Sequence, residues 1–194
     1  MKSKLIAIEG SDRVGKQTQS IMLNAYIKSI NRSSQKVEVP YNDSFTHKLI
    51  YWMLKNGAAK SFPLLFQVIQ VLNRIIFQIF VLPKYSDCEY IVLDRWLAST
   101  WVYGSAEGLS PRVLRFLCSF VKRPDFTVVL YGTPHVQEVR DVYEADLALQ
   151  ASVRLKYLEW SQAHPCCSTV IDANQDMQTV FSKIIETLQK NSVL

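Results

Sequence analysis

Apolar positions along the chain alternate between two spacings. Compact runs lie at Leu5–Ile8, Lys36–Val39, Cys88–Asp94, Pro124–Leu130 and Ser168–Asp172. Runs this short predict strands, and nearly unbroken ones such as Tyr90–Leu93 predict parallel strands buried on both faces. Between them, apolar residues recur every three or four positions, predicting helices from Thr18 to about Ile30, through Leu49–Leu54 to Gly57, and over 98–103, 110–121, 145–163 and 176–189. Asp43 or Ser44 can cap the second helix, and Ser110 followed by Pro111 is a start signal. Pro40 ends the second strand because it has no N–H for a ladder. Strands that alternate with helices predict an α/β fold, a five-stranded parallel sheet with helices on both faces and right-handed crossovers.

Phe62–Pro83 is apolar over most of its length and about as long as a membrane span. Polar residues interrupt it, and Gln67, Gln70, Arg74 and Gln78 fall on one helical stripe. That pattern predicts a helix buried in protein with its stripe facing a wet cleft, and no membrane partner.

At 194 residues without a Pro-, Gly- or Ser-rich linker, the chain is expected to form one domain, 1–194. The net charge of +5 comes from scattered Lys and Arg, so it predicts a site for small polyanions and no nucleic-acid partner. Cys88, Cys118 and the adjacent Cys166 and Cys167 match neither a zinc spacing nor a disulfide framework. A reducing intracellular location, the cytoplasm, is the expectation, and Met1–Lys4 is too short for a signal peptide. His47, His135 and His164 form no recognisable base or metal set, and Asp172 reads as structural.

Chemistry enters at Glu9-Gly10-Ser11-Asp12-Arg13-Val14-Gly15-Lys16-Gln17-Thr18. A strand runs into a glycine-bounded loop ending in Gly-Lys, with a helix beyond, which is the order of parts a phosphate-binding P-loop requires. Loop N–H groups, the helix N-terminus and the Lys16 ammonium would hold a nucleotide's phosphates. Gln17 stands where a Ser or Thr usually supplies a hydroxyl to Mg²⁺. The strand ending in Asp94-Arg95 delivers an acid and a base to the carboxyl edge of the sheet, where ligands of such folds bind.

Taken with Trp96, Ser99 and Tyr103 behind that turn, with Asn73-Arg74, and with Tyr143-Glu144 followed by Gln150, Arg154 and Tyr157, these motifs make the chain resemble a thymidylate kinase of the nucleoside monophosphate kinase group. The resemblance covers nearly the whole length. It implies a P-loop kinase fold with a short lid over about 132–146, and transfer of the ATP γ-phosphoryl group to dTMP. ATP would lie on 10–18, from Gly10, Ser11 and Asp12 through Val14 and Gly15 to Gln17 and Thr18. The catalytic residues implied are Arg13, Lys16, Asp94 and Arg95. Asp12 matches a contact to the acceptor's 3′-hydroxyl, Arg95 the grip on its phosphate, Arg74 a reader of the base edge, and Tyr103 a packing partner of sugar and base. Gln70, Ser99 and Tyr143 complete the acceptor set. Asp94, or Gln17 through its carbonyl oxygen, would serve Mg²⁺, and the 62–82 helix would pack in a homodimer. The chain departs from the family at Gln17, at Tyr41 where an arginine is usual, and at Gln70 where an aromatic is usual. Those departures leave two alternatives: a deoxynucleoside monophosphate kinase of altered base preference, for example for dUMP, or a catalytically impaired nucleotide-binding homologue.

Overall fold

A computed structural model of the chain describes residues 3–134 and 142–194. The elements run β1 (Lys4–Gly10), α1 (Lys16–Ser29), β2 (Ser34–Glu38), α2 (Phe45–Lys55), α3 (Ala58–Ser61), α4 (Pro63–Ile76), β3 (Tyr90–Asp94), α5 (Leu97–Ala106), α6 (Pro111–Cys118), β4 (Phe126–Tyr131), α7 (Val142–Ala145), α8 (Leu147–Gln162), β5 (Ser168–Asp172) and α9 (Met177–Lys190). The five strands form one parallel sheet in the order β2-β3-β1-β4-β5. The strand runs are those the apolar pattern predicts, with edges moved by a residue or two. β4 begins after Pro124 and Asp125, where the Asp125 carboxylate accepts the Leu5 N–H at 2.7 Å.

Alternation along β1 separates two cores. Ile6 and Ile8 pack with Leu23, Ile27, Ile184 and Leu188 under α1 and α9. Leu5 and Ala7 face the other way, into a layer with Val71, Phe77, Trp96 and Leu117. β1 lies between β3 and β4 and is buried on both faces, so its carboxyl end opens into the middle of the molecule.

Two caps fall where the sequence signals them, at Ser44 and Ser110, and a third lies at Asp176. Ser44 Oγ accepts the His47 N–H, Ser110 Oγ accepts the Val113 N–H, and Asp176 caps α9 through two backbone N–H groups. α4 continues as a π-helical turn (Phe77–Val81) and a 3₁₀ turn (Leu82–Tyr85). The wider π turn rotates the residues beyond Ile76, so the predicted polar stripe does not run its full length. Gln67, Gln70 and Arg74 face a cavity, whereas Gln78 Oε1 accepts the Lys122 N–H at 2.6 Å. By length and composition, Pro63–Tyr85 would suffice to cross a membrane, yet it carries buried Gln67, Asn73 and Arg74 and packs Val71, Phe77 and Val81 into the core. Its other side leaves Leu65, Ile79 and Phe80 exposed. The expected lid, 132–146, lies partly outside the described residues, as does His135.

Asn73 fastens the loop after β2. Its Oδ1 accepts the Tyr41 N–H at 2.7 Å, and its Nδ2 donates to the Tyr41 carbonyl, Ser44 Oγ and Thr46 Oγ1 within 3.2 Å. The side chain is fully buried, so truncation strands several polar groups away from water. Asn73→Ala is expected to cost about 1–3 kcal/mol in urea unfolding, and a midpoint equal to wild type would contradict this assignment.

Candidate active site

The loop between β1 and α1 is shaped by backbone constraints. Gly10 has φ +146°, and a Cβ there would come within 2.5 Å of the Leu130 carbonyl oxygen. Gly15, at φ +88°, caps α1 without a side chain, which leaves the first N–H groups of the helix open to an anion. Lys16 is buried, and its ammonium donates to the Ser11 carbonyl. Burial, then the nearby Arg95 charge, push Lys16 down to about 8, against the pull of Asp12, Asp94 and Glu9. The Ser11 hydroxyl is buried without a hydrogen-bond partner among the described residues. Val14 packs its side chain into the core and has only its backbone to offer a nucleotide, while Gln17 and Thr18 are exposed on α1.

β3 ends beside this loop, with Asp94 paired in register to Ile8 of β1. Arg95 adopts φ +65°, in the left-handed region, and donates its N–H to the Ile8 carbonyl at 3.0 Å. Its guanidinium forms an ion pair with Asp12 Oδ1. The other Asp12 oxygen accepts from Tyr103 at 2.7 Å and from Gln150 Nε2 at 2.8 Å. Burial alone would raise the Asp12 carboxyl, but Arg95, Lys16 and these hydrogen bonds hold it well below the usual carboxylate range.

Asp94 points to the α1 side of the sheet. Its carboxylate lies 3.5 Å from Ser20 Oγ and 3.9 Å from the Lys36 ammonium, and burial raises it against the pull of Lys16, Arg95 and Lys36. Carboxylate, hydroxyl and the exposed Gln17 amide are hard oxygen donors of the kind Mg²⁺ takes, so the chemistry of the donor set fits that ion. Among the described residues, no group of three or more His, Cys, Asp or Glu side chains is placed to hold a metal. A cation here would rest on Asp94 together with phosphate oxygens and water.

Beyond the Asp12–Arg95 pair opens a cavity of about 510 Å³. Phe66, Gln70 and Arg74 line it from α4, and Thr100 and Tyr103 from α5. Arg74 is 2% exposed and burial lowers it to about 10. Its Nη1 donates to the Gln70 carbonyl and to Gln70 Oε1, so the residue that stands in place of an aromatic serves to orient the arginine. Tyr143 stacks on Phe66 at 5.7 Å, donates its hydroxyl to Glu107, and accepts on its carbonyl from Gln150. Ser99 borders the cavity, but its hydroxyl donates to Glu9 at 2.6 Å and is thus turned from the ligand space. At Tyr41 the hydroxyl donates to Asp43 and the ring packs on Phe77, so no cation enters the crevice from that position.

The structure therefore brings Asp12, Lys16, Asp94 and Arg95 to one edge of the sheet and Gln70, Arg74, Tyr103 and Tyr143 to one cavity. Sequence reasoning gave no site role to three residues. Thr100 is 1% exposed with its hydroxyl unpartnered among the described residues, and it lies three positions before Tyr103 on the same helical face. Gln150 entered only as a position in the motif that follows Tyr143, and Glu9 only as the first residue of the P-loop motif, neither with a site role.

The thymidylate kinase family model matches residues 8–184. A probable thymidylate kinase 1 from Saccharolobus solfataricus is 28% identical over 193 residues, covering 97% of this chain and 98% of that protein. A thymidylate kinase from Brachyspira hyodysenteriae is 25% identical and covers 100% of this chain and 97% of its own. Among solved structures, thymidylate kinase from Candida albicans superposes with a TM-score of 0.81 at 23% identity, over 99% of this chain and 93% of that one. The enzyme from Ehrlichia chaffeensis gives 0.76 at 21%, over 97% and 100%. Those two likenesses concern the fold, a P-loop nucleoside monophosphate kinase-like sheet; the family match spans both the P-loop and the Asp94-Arg95 turn, and the chain belongs to the thymidylate kinase family.

Proposed function

We infer that this chain is an ATP-dependent thymidylate kinase, transferring the γ-phosphoryl group of ATP to dTMP to give dTDP and ADP. The observation that supports the site-level reading is the Asp12–Arg95 ion pair, which joins the loop after β1 to the wall of the cavity beyond it. Loop N–H groups and Lys16 hold the donor phosphates. Arg13, at the turn of the loop, stabilises charge on the moving group. Arg95 exchanges Asp12 for the acceptor phosphate, and Asp12 takes the sugar 3′-hydroxyl. An acceptor phosphate oxygen is already anionic and attacks phosphorus without a general base, so catalysis rests on positioning and charge. Asp94, with the Ser20 hydroxyl 3.5 Å away, would hold Mg²⁺, with Gln17 as a further oxygen donor, and the ion would supply neutralisation of charge on the donor phosphates. Arg74, oriented by Gln70, reads the base edge together with Thr100, while Tyr103 and Tyr143 pack against sugar and base.

The chain works as a single domain with a lid over about 132–146, in the cytoplasm. It pairs as a homodimer through the 62–82 helix, whose exposed apolar residues include Leu65, Ile79 and Phe80.

In a coupled ADP-release assay across dTMP, dUMP, dGMP, dCMP and UMP, turnover with dTMP is expected, and its absence with both dTMP and dUMP would refute the reading. Arg95→Ala should lower kcat/KM for dTMP by about a thousandfold while leaving ATP affinity intact. The donor role of Lys16 makes a separate prediction. Because Lys16 sits near 8, bound ATP phosphates raise it and draw in a proton. Calorimetry in two buffers of different ionisation enthalpy should show proton uptake on ATP binding at about pH 8.5 and little at about pH 6.5, where the amine is already charged. Equal uptake at both would place the ammonium elsewhere.

A further inference from the structure

Glu9 is a carboxylate with no exposed surface, the residue before Gly10 at the root of the P-loop. It is fully engaged. Its Oε1 accepts the backbone N–H groups of Trp96 at 2.8 Å and Ser99 at 3.2 Å, and its Oε2 accepts from Ser99 Oγ at 2.6 Å and Tyr157 at 3.1 Å. These backbone groups are the open end of α5. The residue at its cap position, Trp96, supplies no side-chain cap, so Glu9 does from another strand what a local Ser or Asp would do. A local cap would satisfy the helix alone. A cap from β1 also ties the turn holding Arg95 to the phosphate loop.

The other side of the same peptide is held as well. The Trp96 carbonyl accepts from Arg74 Nε at 3.1 Å, so one residue's backbone lies between a buried carboxylate on its N–H and a buried guanidinium on its C=O. Arg95 immediately precedes it in the left-handed region at φ +65°, a conformation unfavourable for a non-glycine residue. Such a backbone persists only where its surroundings over-determine it. Here the restraints are the Arg95 N–H on Ile8, Glu9 on the next N–H, and Arg74 on the next carbonyl.

We propose that Glu9 is a positioning residue for the transfer reaction: through the Trp96 backbone it aims Arg95 at the acceptor phosphate, and with Arg74 on the opposite side it couples that aim to occupation of the base cavity. The proposal rests on the role given above to Arg95.

The ratio of thymidine Kd to dTMP Kd measures how much the phosphate contributes to acceptor binding, and it separates aim from general integrity. Glu9→Gln keeps the shape and one acceptor oxygen but removes the charge. It should lower that ratio about tenfold or more and depress kcat, with ATP affinity unchanged. In an Arg95→Ala background the same substitution should lower the ratio no further, because both changes act on one interaction. An unchanged ratio in Glu9→Gln, or a loss of equal size with and without Arg95, would overturn the proposal. If Glu9→Gln does not fold, Tyr157→Phe, which removes one donor to Oε2, is read in its place: a smaller fall in the ratio supports the proposal and an unchanged ratio overturns it. Arg95→Ala with a wild-type ratio would instead refute the role of Arg95 itself.

Discussion

The ion pair between Asp12 and Arg95 is the interaction on which the arrangement of this molecule turns. Each partner is delivered by the end of a strand, and β1 and β3 are neighbours in register, Ile8 opposite Asp94, so the loops leaving them cannot avoid each other. Neither charge could sit so deeply alone, because an unpaired buried ion costs several kcal/mol. Tyr103 and Gln150 complete the hydrogen bonding of Asp12, and Gln150 extends the same network to the Tyr143 carbonyl. The P-loop, the cavity wall at Tyr103 and the α7 residue Tyr143 are joined through one carboxylate.

Around that pair the cations and carboxylates of the crevice offset one another, with Glu9, Asp12 and Asp94 set against Lys16, Arg74 and Arg95. Lys16 and Arg74 are buried in it, Arg95 is half-buried, and Lys36 lies beside Asp94. A phosphate that displaces Asp12 from Arg95 frees that cation for an anionic ligand. Burial makes the balance responsive, since Lys16 is pushed close to neutral pH and Asp94 is raised. Incoming phosphates therefore meet an ammonium whose charge they help to fix.

Much of this was legible in the sequence, for identifiable reasons. Short apolar runs with turn residues between them specify strands irrespective of context, which is why all five lie where the pattern puts them. The glycines of 10–15 and the Asp94-Arg95 pair stand at strand ends, where a parallel sheet always places its ligand edge. What escaped depends on three-dimensional neighbours. Nothing local marks Glu9 as the cap of a helix that begins nearly ninety residues later. Thr100 looks like any small residue of an apolar helix until its hydroxyl is found at the cavity wall without a partner among the described residues. The stripe along 67–78 was drawn with one period, and the π turn after Ile76 breaks that period, sending Gln78 to Lys122. Ser99 shows the converse, a polar residue at the right spacing whose hydroxyl is already spent on Glu9.

If the Asp12–Arg95 pair is the hinge between the two nucleotide sites, dTMP must break it. A crystal structure of the protein with dTMP bound is the direct test. The account predicts the Arg95 guanidinium on the 5′-phosphate and Asp12 accepting from the 3′-hydroxyl, with the base against Arg74 and Thr100. An intact Asp12–Arg95 ion pair, with the phosphate held by other residues, would contradict it.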